Sequence, residues 1–275
     1  MTQTIKLHYG STQPLLSQRM RSYPMLAKLV NNVLGYTNIG NYARSKVFRK
    51  QISTLPIGDM QNILDLGCGY GEYSFMMAKT LPDTNISALD IDKDALDKVN
   101  YAQENLKLKN LQIFEGYIDQ LPDSKYDLIY SVDVFEHIQV DQMPFSQALN
   151  KLKDGGYLMV KMPNIKQTAV FPKSWFKAHE EWLNHEHPGQ VYTLNDLKER
   201  FKSEGFNVIF ASQTDGILSR FAWELAYLMK KAGTAFQILS LPICKLLIAA
   251  DMVLTRGNTK KGNAITVIGQ KNIGK

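Results

Sequence analysis

The chain has 275 residues, 44% of them hydrophobic and 21% charged, a composition that permits a buried core and excludes an intrinsically disordered protein. Its two cysteines, Cys68 and Cys244, lie far apart in the sequence, which predicts a reducing compartment and no disulfide framework. The N-terminal stretch "MTQTIKLHYGSTQPLL" has no apolar core of the secretory type, so we expect a cytoplasmic protein.

The net charge of +6 is unevenly distributed. Residues 1–58 contain eight Lys or Arg and no Asp or Glu, residues 59–216 contain 15 basic and 24 acidic residues, and residues 217–275 contain nine basic and two acidic residues. Two basic ends suggest an anionic partner, such as membrane headgroups, nucleic acid or a phosphorylated substrate. Ordinary solvated lysines account for the same counts equally well.

Strands and helices alternate along most of the chain. Residues 14–54 are predicted to form two helices separated near "GYTNIG", and further helices are predicted over 72–81, 93–106, 141–153 and 193–205, the last with Thr193 as its cap. Strands are predicted at "ILDL", "ISALDI", "LQIFEG", "YDLIYSVDV", "GGYLMVKMP", "FNVIFAS" and "NAITVIG".

This alternation is typical of βαβ units, so the expected fold class is α/β, with a Rossmann-like, doubly wound and mostly parallel seven-stranded sheet. We expect four segments. They are a helical extension over 1–58, a ligand-binding core over 59–216, an apolar helical insertion over 217–256, and the last strand with the tail over 257–275.

A glycine-rich turn, "NILDLGCGYGEYS", follows the first strand and places Gly67, Gly69 and Gly71 at alternate positions. Such a turn lets the backbone approach a ligand closely and aims helix N-terminal N–H groups at it. Dinucleotide-binding proteins space their glycines differently, as Gly-x-Gly-x-x-Gly. The strand also carries Asp65, whose carboxylate would repel a pyrophosphate and attract a sulfonium or an ammonium.

The stretch resembles the first motif of class I S-adenosylmethionine-dependent methyltransferases, and "SALDIDKD" and "EGYIDQLP" resemble motifs that follow in that family. The resemblance spans roughly residues 60–215, and it implies S-adenosyl-L-methionine as the cofactor. In the family the glycine loop and its acid hold the methionine part of the cofactor. That role falls on Asp65, Gly67, Cys68, Gly69 and Gly71.

The second and third motifs carry the remaining cofactor contacts that the resemblance implies. Asp90 would bind both ribose hydroxyls, a task that suits a carboxylate. Ile91 would pack on the adenine ring. Asp119 would meet the adenine amino group, with Ile118 and Gln120 beside it.

The segment after the fourth strand, "YSVDVFEHIQVDQMP", resembles small-molecule methyltransferases related to the ubiquinone enzymes. Methyl transfer to a hydroxyl group needs an aligned nucleophile and a general base, for which histidine is suited near neutral pH. His137 is the first candidate, and His185 and His187, in "KAHEEWLNHEHPGQ", are the second. The alternative is that Glu136 and His137 only order the loop.

Metal binding is the other chemistry that this segment suggests. Asp133, Glu136 and His137 have the spacing i, i+3, i+4, which would place them on one face of a helical turn, and related ubiquinone O-methyltransferases hold a divalent metal with a similar set. Because a strand-end position need not be helical, we expect no metal. The pair His185 and His187 has no nearby cysteine to support a zinc site.

Residues 217–254 are unusually apolar for a connection between two strands. Their longest uncharged run, residues 232–244, has 13 residues and contains Gly233 and Pro242, whereas a bilayer span needs about 20. We therefore expect the segment not to cross a bilayer. It could lie on a membrane through its lysines, cover the active site, form a dimer surface, or pack on the N-terminal helices as core.

The expected function is methyl transfer to a small-molecule or lipid-linked acceptor, at oxygen, by an enzyme in peripheral contact with the inner face of an anionic membrane. Two alternatives stay open, a non-catalytic binding subunit of the same fold and an RNA methyltransferase that uses the basic ends. Nucleic acid is disfavoured, because no Asn-Pro-Pro-Tyr-type motif follows the fourth strand and no cysteine is placed to attack a pyrimidine.

Overall fold

The computed structural model describes residues 35–122 and 125–273, together with Tyr23, Met25 and Leu29; for residues 179, 180 and 182–184 it describes the backbone only. The first predicted N-terminal helix lies largely outside the described residues. The second corresponds to helix α1, Ile39–Ile52, whose first turn is capped by the side chain of Asn38.

Seven strands form one mixed sheet in the order β3-β2-β1-β4-β5-β7-β6, which confirms the expected α/β fold. The first five strands are mutually parallel, and β7 runs antiparallel to both of its neighbours. The strands are β1 (Asn62–Leu66), β2 (Asn85–Asp90), β3 (Leu111–Glu115), β4 (Tyr126–Val132), β5 (Leu152–Pro163), β6 (Phe206–Thr214) and β7 (Ala264–Lys271).

The direction of β7 follows from the segment that precedes it. The chain leaves the sheet at Thr214, forms two helices, and returns to the sheet at Ala264, which is paired with Thr214. Since departure and return lie at the same edge, the last strand must run back through the sheet antiparallel to β6.

Helices cover both faces of the sheet. They are α2 (Glu72–Thr80), α3 (Lys93–Leu106), α4 (Phe145–Lys151), α5 (Lys177–Glu186), α6 (Leu194–Ser203), α7 (Ile217–Ala232) and α8 (Thr234–Leu254). Helix α4 is shorter than predicted. It begins after Pro144, and Leu152 already pairs with Tyr126 in the sheet.

Alternate strand residues feed two separate cores. Ile63 and Leu128 pack with α1, α2 and α3 on one face, whereas Leu64 and Ile129 pack with α4 and α6 on the other. This is the period-two alternation of a strand that is buried on both faces.

Helix α1 joins the sheet to the apolar insertion. Phe48 and Ile52 belong to the core of the sheet. Ile39 and Tyr42, nearer the start of the same helix, belong to a third cluster that contains Leu241 of α8, together with Tyr36, Ala222, Cys244 and Ile248. The insertion therefore packs on the N-terminal segment.

Helix α8 runs without interruption through Pro242 for 21 residues. By length and composition alone it is long and apolar enough to cross a membrane, the one such helix among the described residues. The uncharged run of 13 residues therefore understates the length of this helix, which also includes Lys245 and Asp251. That the segment does not cross a bilayer stays a prediction.

Asp251 of α8 caps the N-terminus of α7 from outside that helix. Its carboxylate accepts hydrogen bonds from the backbone N–H of Gly216 at 2.9 Å and of Leu218 at 3.2 Å, and from the hydroxyl of Ser219 at 2.8 Å. A buried carboxylate at a helix N-terminus satisfies N–H groups that have no partner within the helix.

Replacing Asp251 should destabilise the protein strongly. Asp251→Ala leaves three donors, two of them buried, without their acceptor, and we expect the free energy of unfolding in urea to fall by about 3 kcal/mol or more. Asp154→Ala removes an exposed carboxylate that pairs with Lys271 at 3.5 Å and should change it by less than about 0.5 kcal/mol. Equal effects of the two substitutions would contradict the capping role.

Candidate active site

A cavity of about 530 Å³ lies over the carboxyl ends of β1, β4 and β5. Its walls are formed by α1, the glycine-rich turn, the loops after β4 and β5, and α7. One lining residue from each of these elements, in chain order, is Arg44, Gly69, His137, Lys173 and Trp223. In open α/β sheets this edge is where ligands bind. The cavity is therefore the place where a reaction would occur.

The glycine turn forms one wall of the cavity with its bare backbone. Gly67, Gly69 and Gly71 all have positive φ angles, of 78°, 50° and 70°. A Cβ on Gly67 would lie 2.5 Å from Val134, whereas a Cβ on Gly69 would meet nothing within 4 Å. Gly67 is thus needed for close packing, and Gly69 leaves open space that a ligand can use. Cys68 between them is buried.

Asp90 lies beside this turn at the end of β2. One carboxylate oxygen accepts a hydrogen bond from the backbone N–H of Gly69 at 2.6 Å, and the other accepts from that of Asp92 at 2.9 Å. The next residue, Ile91, has an apolar side chain that is 63% exposed. The end of β2 therefore carries a carboxylate next to an uncovered apolar side chain; their contacts to a ribose and an adenine ring stay a prediction.

The third predicted cofactor segment lies at the neighbouring strand end. Ile118, Asp119 and Gln120 form a short 3-10 helix, in which Ile118 is buried and Asp119 is exposed. The side-chain oxygen of Gln120 accepts a hydrogen bond from the backbone N–H of Tyr117 at 2.8 Å. Gly116 N donates to Asp90 O at 2.9 Å, which joins this segment to the end of β2.

Asp65 is buried beneath the glycine turn. It is 1% exposed, and its carboxylate accepts a hydrogen bond from the hydroxyl of Ser74 at 2.5 Å. Burial raises the pKa of Asp65 from 3.8 to about 7, against the opposing effect of the Ser74 hydrogen bond. A nearby cation would favour the ionised form of this carboxyl group.

Asp133 ties three parts of the cavity wall together. Its carboxylate contacts Lys161 of β5 at 2.8 Å and Arg44 of α1 at 2.5 Å. Burial would raise the pKa of Asp133, but these two cations hold it below its usual range. The residue also adopts a φ of 54°, which is uncommon outside glycine and is enriched at functional sites.

Glu136, His137 and His187 form a cluster at one side of the cavity. Their side-chain nitrogen and oxygen atoms that could bind a metal ion lie within 4.8 Å of one another. The two imidazole rings meet edge to face, with their centroids 4.6 Å apart. Glu136 is buried, and its Oε2 has no hydrogen-bond partner among the described residues. Burial, together with the charge of Asp133, raises the pKa of Glu136 well above its usual value.

Hydrogen bonds orient both rings of the cluster. His137 Nδ1 lies 2.8 Å from the carbonyl oxygen of Glu186, and His187 Nδ1 lies 2.8 Å from Oε1 of Gln190. Because Gln190 donates its amide to Asn164 O at 3.2 Å, its oxygen faces His187. Each neutral ring therefore carries its proton on Nδ1 and keeps a lone pair on Nε2. Burial lowers the pKa of His187, which favours this neutral form.

Only some of the catalytic candidates predicted from the sequence lie together in the cavity. His137 and His187 line the cavity, whereas His185 has an 85% exposed side chain and contacts Glu186. The predicted helical face of Asp133, Glu136 and His137 is not formed, because only residues 135–137 are helical and Asp133 pairs with two cations. Among the described residues, the groups close enough together to hold a metal ion are instead Glu136, His137 and His187.

Several wall residues were missed in the sequence. Lys161 is 2% exposed at the end of an apolar strand, and a lone charge inside "YLMVKMP" was the signal for it. Arg44 in α1 and Arg220 in α7 carried no comparable signal, since each is one basic residue among many in a basic end.

Comparison with known families relates this arrangement to one class of domain. The family model described as "Methyltransferase domain" matches residues 57–205. The chain is 28% identical to phosphoethanolamine N-methyltransferase 1 of Zea mays over 199 residues, which make up 70% of this chain and 36% of that protein. It is 36% identical to malonyl-[acyl-carrier protein] O-methyltransferase 2 of Ilyobacter polytropus over 147 residues, 50% of this chain and 52% of that protein.

Solved structures share the fold at low sequence identity. The phosphoethanolamine N-methyltransferase 2 of Haemonchus contortus, in complex with phosphomonomethylethanolamine and S-adenosylhomocysteine, aligns with a TM-score of 0.60 and 15% identity, over 83% of this chain and 52% of that one. A putative sarcosine dimethylglycine methyltransferase from Galdieria sulphuraria aligns with a TM-score of 0.55 and 17% identity, over 99% and 94%. The chain spans about a third to a half of the two sequence relatives.

The raised pKa of Asp65 predicts that this residue destabilises the folded protein more at high pH than at low pH. The folded state retains a proton on this carboxyl group up to about pH 7, whereas the unfolded chain releases it near pH 4, so its contribution to stability improves as the pH falls from 7 towards 4. Without ligand, Asp65→Asn should raise the free energy of unfolding at pH 8 by about 1–3 kcal/mol, and less at pH 5. An equal effect at both pH values in urea unfolding would contradict the shift.

Proposed function

The chain belongs to the methyltransferase domain family, and from that premise we propose that it transfers a methyl group from S-adenosylmethionine to an oxygen atom of a small-molecule or lipid-linked acceptor, with a histidine as general base. The observation that carries this proposal is one cavity with two unlike walls. The glycine turn forms one wall, and the oriented pair His137 and His187 forms the other.

The glycine turn of the first wall and the neighbouring end of β2 fit this cofactor. Gly69 leaves open space next to the backbone, the carboxylate of Asp90 can accept hydrogen bonds from two hydroxyl groups, and Ile91 exposes the apolar surface that an adenine ring would cover. Asp65 and Asp90 would hold its two ends. When bound, the cofactor supplies a sulfonium-activated methyl carbon, which takes the acceptor's lone pair while the electrons of the C–S bond return to sulfur.

The chain's own contribution is to position the acceptor, exclude water and receive its proton. His137 Nε2 takes the proton of the acceptor hydroxyl, while the hydrogen bond from Nδ1 to Glu186 O holds the ring in place. His137 is exposed at the rim and can pass the proton on to solvent. His187 stays neutral beside it, because burial disfavours a second positive charge.

A second candidate is methyl transfer to nitrogen in an amine that bears an anionic group. Two of the similar proteins described above are named as phosphoethanolamine N-methyltransferases, which is chemistry of this kind. In the cavity, the unpartnered Oε2 of Glu136 could accept a hydrogen bond from an amine. Arg220 lines the same cavity, and its Nε has no hydrogen-bond partner among the described residues, which suits an anionic acceptor group.

Incubation of the protein with methyl-labelled cofactor and a cell extract tests the proposal. We expect label in the small-molecule or lipid fraction, and mass spectrometry of the product identifies a methyl ether or ester rather than a methylamine. A methylamine would favour the second candidate. Label in the nucleic-acid fraction would favour an RNA methyltransferase, and no label, despite cofactor binding, would favour a non-catalytic subunit.

Asp90 should contribute directly to cofactor affinity. Asp90→Ala removes the proposed ribose contact and the support of Gly69, and S-adenosylmethionine binding measured by calorimetry should weaken by about 1.5–3 kcal/mol, the range for a hydrogen bond to a charged group. Asp94→Ala, which removes an acidic residue in the first turn of α3, is the matched control. Unchanged affinity in folded Asp90→Ala would refute the assignment.

Loss of the base should affect turnover far more than binding. His137→Ala should lower turnover on the true acceptor about 10²–10⁴-fold and leave cofactor affinity nearly unchanged. His185→Ala is the control, because that side chain points to solvent. If His187→Ala abolishes turnover and His137→Ala does not, the base is His187. Loss of activity on dialysis against a chelator, with recovery on adding a divalent ion, would instead indicate a metal at the cluster.

A further inference from the structure

Helix α8 carries an uncovered apolar stripe along its whole length. Phe236, Leu239, Ile243, Leu246 and Val253 are spaced three, four or seven residues apart and therefore lie on one side of the helix. Each of these side chains is more than half exposed, and Leu239 and Val253 reach 75%. A continuous apolar surface of this kind marks an interaction site rather than ordinary surface.

The opposite side of α8 is anchored to the protein. Leu241, Cys244 and Ile248 are buried in the cluster shared with α1 and α7. Asp251 holds the start of α7 through three hydrogen bonds. Crossing a bilayer would break these contacts and would place Asp251 in hydrocarbon, so the stripe is available only to a partner that approaches from outside.

Basic residues surround the stripe. Lys230 and Lys231 are exposed at the end of α7, next to the first turn of α8, and Arg256 is exposed just after its last turn. Between them the ammonium groups of Lys46 and Lys245 both lie over the ring of Tyr42, at 5.5 and 5.6 Å. The apolar surface thus has cationic groups at both ends and along one side.

No exposed acidic side chain offsets these charges within residues 217–273. The two acidic residues of that segment, Glu224 and Asp251, are each 3% exposed. Glu224 accepts hydrogen bonds from the backbone N–H groups of Val170 and Phe171, as Asp251 does from Gly216. Helix α1, which packs beside α8, contains no acidic residue.

We propose that this face is a docking surface for an anionic lipid bilayer, with α8 lying in the plane of the interface. The stripe enters the boundary of the acyl chains while the lysines meet the headgroups, the arrangement of an interfacial amphipathic helix. A second copy of the chain is a poorer fit, because a symmetric contact would bring two cationic surfaces together. The charge pattern therefore selects an anionic surface.

The same helices place the bilayer close to the cavity. Arg220, Trp223 and Glu224 of α7 line the cavity, and α7 packs along α8. The docked membrane would then lie about one helix diameter, roughly 10–12 Å, from the cavity wall. An acceptor with a lipid tail could present its polar end to the cavity without leaving the bilayer.

Flotation of the purified protein with vesicles tests the proposal without reference to activity. We expect the protein to float with vesicles of phosphatidylcholine and phosphatidylglycerol, to stay behind with phosphatidylcholine alone, and to be released by high salt, which screens surface charge. Lys230→Gln/Lys231→Gln should weaken binding about fivefold for each lysine. Lys93→Gln/Lys109→Gln, two exposed lysines beside the far edge of the sheet, should leave it unchanged.

A second pair of substitutions tests how much the apolar stripe contributes to vesicle binding. Leu239→Gln/Leu246→Gln should reduce binding about tenfold or more and leave the circular dichroism spectrum unchanged, because both side chains are exposed. Ile209→Gln/Ile273→Gln changes exposed isoleucines elsewhere and should have no effect. Absence of flotation, equal loss in variant and control pairs, or binding that resists both salt and carbonate would overturn the proposal. So would a dimer in lipid-free sedimentation that Leu239→Gln/Leu246→Gln abolishes.

Discussion

The cavity depends above all on the carboxylate of Asp133. It lies at the end of β4, in a backbone conformation that few non-glycine residues adopt, and accepts contacts from Lys161 of β5 and Arg44 of α1. Because Lys161 is 2% exposed, its removal would leave an uncompensated buried charge, which typically costs several kcal/mol, whereas Arg44 is 43% exposed and its ion pair contributes less. The network therefore holds α1 over the strand ends in addition to the apolar packing of Phe48 and Ile52.

This network also sets the electrostatics of the neighbouring cluster. Glu136 is buried beside this network, with an oxygen that has no hydrogen-bond partner among the described residues, and burial together with the charge of Asp133 raises its pKa. The ring of His137 is oriented by a backbone carbonyl, and the ring of His187 by Gln190. The cavity thus places the ion pairs of Asp133 next to the two histidine rings and Glu136.

The helices α1, α7 and α8, the first of which is far from the other two in the sequence, together form part of the cavity wall and the apolar cluster behind it. Helix α1 supplies Arg44 to the cavity and Tyr42 to the apolar cluster, α7 supplies Trp223 to the cavity, and α8 supports both from behind. Since α7 begins at a cap provided by Asp251 of α8, a movement of α8 would reach the cavity wall through a direct set of hydrogen bonds. A displacement of the outward-facing helix α8 would therefore also displace the part of α7 that lines the cavity.

The amino-acid sequence by itself determined the order of strands and helices, the glycine turn and the acids that follow two strand ends. These features depend on residues close together in the chain, namely period-two alternation, turn glycines and caps such as Thr193. The tertiary structure alone decided that β7 is antiparallel, that His187 rather than Asp133 joins Glu136 and His137, and that Arg44 reaches Asp133. Each of these depends on contacts between residues far apart in the chain, whose pairing is set by packing and charge compensation in three dimensions and leaves no local pattern.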